Sequence, residues 1–176
     1  MEKWVHAPLH IFNERGTYMV TAGTLHKSHF FNESDHLDFF QDLLLELSQK
    51  YQWKLEAWSI FSNHYHFLAH SPEDPKNLVK FITHLHANTA RYINKNQNTI
   101  GRQVWHQYWD TQITHQSSYL ARLNYIMQNP VKHQLVENAS FYKWCSASWF
   151  EKFASKSHCD TVKSTKIDSI NVFDDF

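Results

Sequence analysis

The spacing of hydrophobic positions along the 176 residues changes several times, and each change marks an element. Thr17–His26 mixes β-branched and aromatic residues in loose alternation and predicts a strand. From 33 to 51, Leu37, Phe40, Leu44, Leu47 and Tyr51 recur at three and four, which is one face of an amphipathic helix. Glu33, Asp35, Asp38, Asp42 and Glu46 fall largely on its wet side. Trp53–Phe61 reads as a second strand, Ser62–Asn63 as a tight turn, and His64–His70 as a third strand closing a hairpin. Asp74 followed by Pro75 is a helix start, and Leu78, Phe81, Ile82, Leu85, Tyr92 and Ile93 carry that helix to about Asn94. Residues 95–104 are polar and loop-like, and Trp105–Thr114 predicts a fourth strand. Ser117 or Ser118 caps a last helix, expected to stop near Gln128 because Pro130 restricts Asn129.

Strand–helix–strand–strand–helix–strand with a central hairpin is the ferredoxin-like α+β order. It predicts an antiparallel sheet with helices packed on one face, leaving the other face for a site. Residues 1–150 are read as one domain. From about Glu151 the composition turns to Ser, Thr, Lys and Asp with scattered apolar residues, so 151–176 is expected to be a flexible tail.

Composition adds exclusions. A hydrophobic content of 42% with 16% aromatics is too high for a disordered chain. No run approaches the roughly 18 apolar residues of a membrane span, and the N-terminal stretch has no signal-peptide apolar core. Cys145 and Cys159 form no CxxC pair, so the expectation is a soluble cytoplasmic protein without disulfides. Net charge is zero but unevenly spread: residues 1–74 carry five Lys/Arg against ten Asp/Glu, whereas 75–136 carry seven against Asp110 alone. That middle third has the local positive charge a polyanion partner needs.

Two constellations could carry chemistry. In Asn63-His64-Tyr65-His66, a strand points His64 and His66 to one face, their Cβ atoms roughly 7 Å apart, and turns Tyr65, Phe67 and Ala69 to the other. Two neutral imidazoles so placed can hold one divalent ion and leave positions for water or substrate. They can equally be ordinary surface histidines. The other pair, His84/His86, sits on a helix, where i and i+2 diverge by about 200° and cannot share an ion. In the last helix, with Leu120 at zero, Leu123, Ile126 and Met127 form an apolar stripe with Tyr119. Tyr125 falls at about 140°, Asn129 at about 180° and Arg122 at about 200°, all on the polar face. No Gly-rich phosphate loop, GxSxG or HExxH occurs.

NHYHFL, VWHQYWD, and YIMQNPVKHQLV followed by YKWCSAS, in that order, resemble the single-tyrosine HUH transposase family, in particular its REP-associated tyrosine transposase branch. The stretch NLVKFITHLHANTARYINK is similar to that branch's second helix, and the resemblance spans roughly residues 15–150. It implies a ferredoxin-like fold and metal-dependent cleavage and rejoining of single-stranded DNA beside a hairpin, through a 5′-phosphotyrosine. By position it implies His64 and His66 as ligands of Mg²⁺ or Mn²⁺, Asn129 as a third polar ligand, and Tyr125 as the nucleophile. The middle of the HUH motif is Tyr65 here, where the family has a bulky aliphatic residue. For DNA, Lys80, Arg91, Lys95, Arg102 and Arg122 are candidate phosphate contacts, and Trp105, Tyr108 and Trp109 candidate stacking residues. Two other readings stay open: a non-catalytic hairpin-DNA-binding module, and a small metallohydrolase needing a third strong ligand and indifferent to Tyr125. The expected partner is single-stranded DNA with a hairpin, with no membrane, and the protein is expected to be a monomer or homodimer.

Overall fold

A computed structural model describes His10, residues 14–168 and 170–172, and Phe176. Four strands, β1 (Thr17–Thr24), β2 (Lys54–Ile60), β3 (His64–His70) and β4 (Trp105–Ile113), form an antiparallel sheet in the order β2-β3-β1-β4. β3 therefore lies inside the sheet, where both its faces are covered. Helices α1 (Ser34–Lys50) and α2 (Leu78–Asn96) pack on one face, as the strand–helix order predicts. Leu37, Phe40, Leu44 and Leu47 from α1 and Leu78, Phe81, Ile82, Leu85 and Ile93 from α2 bury against Tyr18, Val20, Tyr65 and Phe67 of the sheet. Asp74 accepts from the Lys76 amide at 3.1 Å and Pro75 opens a 3-10 turn that runs straight into α2.

The face that the helix count leaves for a site is where α3 (Gln116–Lys132) lies, followed by α4 (Ala147–Phe153) and α5 (Lys156–Ser164). Met19, Ala57 and Leu68 of the sheet meet Leu123, Ile126 and Met127 of α3 there, with Phe150, Cys159 and Val162 from the last two helices. Both cysteines are free and buried, and burial pushes the Cys145 thiol up to about 12. Residues 144–146 cover the outer edge of β2: the Ile60 amide donates to the Trp144 carbonyl at 3.0 Å and Ser146 N–H to the Trp58 carbonyl at 2.9 Å. The Tyr142 hydroxyl donates to the Ile60 carbonyl at 2.9 Å. An otherwise open sheet edge is closed by the chain's own backbone.

One sequence expectation is corrected. α3 does not stop before Pro130 but continues to Lys132. The proline ring has a helical φ and lacks an N–H, so it removes the one bond that would have gone to Ile126 O. His133 N–H still donates to Asn129 O at 2.9 Å, so one more turn forms. Two residues past that end, Gln134 turns the chain away with a left-handed φ of 57°. Within 151–176, Lys156–Ser164 forms a helix: the Ser155 side chain accepts from His158 N–H at 3.2 Å, and Cys159 and Val162 are buried. Asn124 Nδ2 of α3 donates to the Thr165 carbonyl at 2.9 Å, tying the end of α5 to α3.

That packing predicts that Val162→Ala, at a fully buried position, lowers unfolding stability by about 1–3 kcal/mol in urea denaturation. An unchanged midpoint would mean that α5 contributes no core.

Candidate active site

β3 positions the first half of the site. Its alternation sends Tyr65 and Phe67 into the α1/α2 core and His64 and His66 to the α3 side, where they are 3% and 0% exposed. Each ring is held through Nδ1. Asn63 Nδ2 donates to the Lys27 carbonyl at 3.1 Å, which turns Asn63 Oδ1 towards His64 Nδ1 at 2.7 Å. His64 Nδ1 thus carries the proton, and Nε2 keeps the lone pair with which the ring could hold a metal. His66 Nδ1 and Thr21 Oγ1 of β1 share a hydrogen bond of 2.8 Å. Both Nε2 atoms are buried, and the two ring centroids are 5.2 Å apart. Phe61 stacks on His64 at 4.4 Å and Phe176 at 4.6 Å. Gly23, opposite His64 on β1, has no side chain, and a Cβ there would lie 2.2 Å from the Phe176 ring.

α3 supplies the second half. The polar face read from the sequence is turned inward, towards the imidazoles, and not to solvent. Tyr125 is 5% exposed, its hydroxyl is buried, and its ring centroid lies 5.5 Å from that of His66. Asn129, one turn on, is fully buried, and among the described residues neither its Oδ1 nor its Nδ2 has a hydrogen-bond partner. An amide left so in a packed interior costs about 1–3 kcal/mol per unmet group, so this position suits a ligand. The donor set is two imidazole nitrogens and one amide oxygen, which fits a divalent ion that keeps further positions for water or phosphate oxygen. Among the described residues no three His, Cys, Asp or Glu side chains are grouped to hold a metal.

Sequence reasoning missed several neighbours. His133 sits 4.9 Å from His64 and 5.1 Å from Phe61, centroid to centroid. Lys132 Nζ lies 5.1 Å from the centre of the Tyr125 ring. Both follow from spacing, His133 being four after Asn129 and Lys132 seven after Tyr125, but only if α3 continues past Pro130. Thr21 and Phe61 leave no signal in the sequence, because only sheet register and the hairpin bring them to the histidines.

The predicted DNA contacts scatter. Lys80, Arg91 and Lys95 are exposed on α2, across the sheet from the histidine pair. Arg102 is engaged within the fold: it donates to Asn94 Oδ1 at 3.0 Å and Gln97 Oε1 at 2.6 Å and lies over the Phe30 ring at 4.1 Å. Arg122 shares α3 with Tyr125, donates to the Ser118 hydroxyl, and has a buried Nε without a partner. Trp105 is corrected from a stacking surface to a core residue. It is 7% exposed, packs among Phe31, Phe40 and Tyr65, and donates its indole N–H to Thr89 Oγ1 at 2.9 Å. Tyr108 is half-buried on that same side against His10, and burial holds its hydroxyl well above the ordinary value. Trp109, opposite Thr21, is on the histidine face.

The second histidine pair is structural. His84 Nδ1 meets the Tyr51 hydroxyl at 3.2 Å, while His86 Nε2 and the Tyr65 hydroxyl share a hydrogen bond of 2.9 Å and the His86 ring stacks on Trp105 at 4.4 Å.

A family model for IS200-like transposases matches residues 15–129. A candidate REP-associated tyrosine transposase of Haemophilus influenzae is 26% identical over 113 residues, which are 59% of this chain and 64% of that protein. The chain thus spans somewhat less than two thirds of that relative's length. The solved structure of a REP-associated tyrosine transposase bound to a REP hairpin superposes with a TM-score of 0.66. It has 17% identity and covers 98% of this chain and 95% of that one. This likeness establishes a shared fold. Among the described residues no helix is long and apolar enough to cross a membrane.

Burial pushes the His86 imidazole down to about 3. Below about pH 6.5 the unfolded chain binds a proton that the native state refuses until about pH 3. Its contribution to stability is therefore complete above pH 6.5 and is lost as pH falls through that window. In an NMR titration His86 should stay neutral at pH 5; a midpoint near 6.5 would contradict its burial.

Proposed function

The chain belongs to the IS200-like transposase family, and from that premise we propose that it nicks and rejoins single-stranded DNA beside a hairpin, with Tyr125 as nucleophile. The observation that carries this reading is the meeting of Tyr125, 5.5 Å from His66, with the unpartnered Asn129 amide on one buried face of α3. The REP-hairpin complex of the structural neighbour and the name of the Haemophilus influenzae relative support placing it in the REP-associated branch.

In this proposal the Tyr125 phenol loses its proton as Oη attacks the scissile phosphorus. The 3′-oxygen leaves, giving a 5′-phosphotyrosine and a free 3′-OH. Because the covalent link conserves the phosphodiester, attack by another 3′-OH rejoins the strand without hydrolysis. His64 and His66 Nε2 with Asn129 Oδ1 are the residues that would hold Mg²⁺ or Mn²⁺. When bound, such an ion supplies Lewis-acid charge compensation to a non-bridging phosphate oxygen. Asn63 and Thr21 fix the imidazoles, and Phe61 packs against His64 to exclude water on that flank. Arg122 and Lys132, both on the tyrosine's helix, provide positive charge for the phosphate that the exposed α2 basic residues provide elsewhere on the surface.

Incubated with Mn²⁺ and end-labelled single strands bearing hairpins, the wild type should give a labelled band at protein size on a denaturing gel. Tyr125→Phe should reduce that band to background and retain the native-gel complex. A phenylalanine variant that still forms the adduct moves the nucleophile elsewhere. A complex with no adduct in the wild type favours a non-catalytic hairpin-binding module. Asn63→Ala, which releases His64 Nδ1, should weaken Mn²⁺ binding roughly 10–100-fold by calorimetry, and unchanged binding would place the ion away from His64.

A further inference from the structure

A bulge in β2 decides which side chain stands beside His66. The strand pairs with β3 in register from Lys54 to Leu55 and resumes at Ala57 opposite Leu68, one residue out of step, so Glu56 is the extra residue. Leu55 packs with the α1/α2 core, and strict alternation would send Ala57 and Ser59 there as well. Past the bulge the faces exchange: Ala57 joins the α3 side, while Trp58 and Ile60 take the α1/α2 side. Ser59 therefore points to the α3 side, paired with His66 of β3. It is fully buried, and among the described residues its hydroxyl has no hydrogen-bond partner. On the other flank of His66, Thr21 of β1 already holds Nδ1.

α3 brings a second unmatched polar group to the same level of the sheet. Tyr119 donates to the Glu56 carboxylate, and His133 lies 5.1 Å from Phe61, so α3 runs along β2 with Ser59 between those two contacts. Cys145, which forms a β-bridge with Ser59, donates to the Met127 carbonyl at 3.6 Å and sets Ser59 level with Met127. Asn129 is two residues on, about 3 Å at 1.5 Å per residue. A helical side chain leans back towards the N-terminus, which carries the Asn129 amide over the level of Met127. That amide is fully buried and, like Ser59 Oγ, has no partner among the described residues. Buried polar groups are paired with few exceptions, and these two are complementary: the amide has N–H donors and the hydroxyl oxygen accepts.

We propose that Ser59 is the positioning residue for Asn129: Ser59 Oγ accepts a hydrogen bond from Asn129 Nδ2 and fixes Asn129 Oδ1 towards the two imidazoles. The inference rests on the proposed activity, because it takes Asn129 as a ligand of the divalent ion. An amide presents its oxygen to a cation and turns its N–H groups away, so ligation through Oδ1 creates a demand for an acceptor behind Nδ2. The other acceptors on this side of the sheet are engaged or out of reach. Thr21 Oγ1 is bound to His66. Glu56 lies beside Tyr119, ten residues and about 15 Å back along the helix. Asn124 is turned to the Thr165 carbonyl at the end of α5. With Ser59 the set is complete, since each ligand has its own fixing partner: Asn63 for His64, Thr21 for His66 and Ser59 for Asn129.

The test titrates the full chain with Mn²⁺ alone and reads solvent-proton relaxation, so it needs neither DNA nor activity. Ser59→Ala should weaken Mn²⁺ binding roughly tenfold. Its metal-free melting temperature should stay at or above that of wild type, because the hydroxyl removed is unpaired in that state. Ser59→Cys, close to serine in size but a poor acceptor, should weaken binding as much, which separates the lost acceptor from the lost volume. Added to Asn129→Ala, Ser59→Ala should weaken binding no further, because the hydroxyl acts only through that amide. Ser59→Ala or Ser59→Cys binding Mn²⁺ as wild type does overturns the assignment, and so does a double variant weakened by the product of the two single effects. A lower metal-free melting temperature in both Ser59 variants overturns it as well, by making the hydroxyl a support of the fold. A wild type that binds no Mn²⁺, or binds it equally after Asn129→Ala, overturns instead the proposed ion site, and this inference with it.

Discussion

The two-residue period of β3 is the constraint from which the rest of the molecule follows. Successive residues must serve opposite faces, so Tyr65 and Phe67 anchor the α1/α2 core while His64 and His66 are buried on the other side. Buried imidazoles are tolerated only when their polar atoms find partners, and Asn63 and Thr21 supply one for each ring. What covers them must be polar where it meets them and apolar around them. α3 meets that demand by turning Tyr125 and Asn129 inward beside Leu123, Ile126 and Met127. A helix buried on both its polar and apolar sides then needs a further layer, and α5 with Cys159 and Val162 provides it.

Much of this was legible in the sequence because it depends on short-range pattern. β3 spans His64–His70 as its alternation predicts, and the buried stripes of α1 and α2 are those set by the three-and-four spacing, with Tyr51 and Tyr92 only partly covered. The angular argument placed Tyr125, Asn129 and Arg122 on the polar face of α3, and in the fold Tyr125 and Asn129 on that face are buried. Helical periodicity reports which residues share a face and says nothing about a second polar surface waiting to receive it. The rule that a proline ends the preceding helix failed at Pro130, where only one hydrogen bond was at stake. α5 was hidden because its apolar content, essentially Cys159 and Val162, is too sparse for a periodic signal.

Tertiary placement was the least legible. Lys80, Arg91 and Lys95 belong to one basic stretch of sequence, yet α2 carries them to the side of the sheet away from the histidines. Trp105 looks like a stacking residue in a linear motif, but the register of β4 with β1 sends it among Phe31, Phe40 and Tyr65. The bulge at Glu56 leaves no trace in composition. Gly23 is explained only by the approach of Phe176 to His64. Arg122 and Lys132 are the basic residues on the tyrosine's own helix.

The central claim is that DNA becomes covalently attached to Tyr125, and peptide mapping of the denatured protein–DNA adduct by mass spectrometry tests it most directly. Trypsin should release Leu123–Lys132, which contains that single tyrosine, carrying a nucleotide through its 5′-phosphate. A nucleotide on a different tyrosine, or cleaved DNA with a free 5′-phosphate and an unmodified 123–132 peptide, would contradict the account.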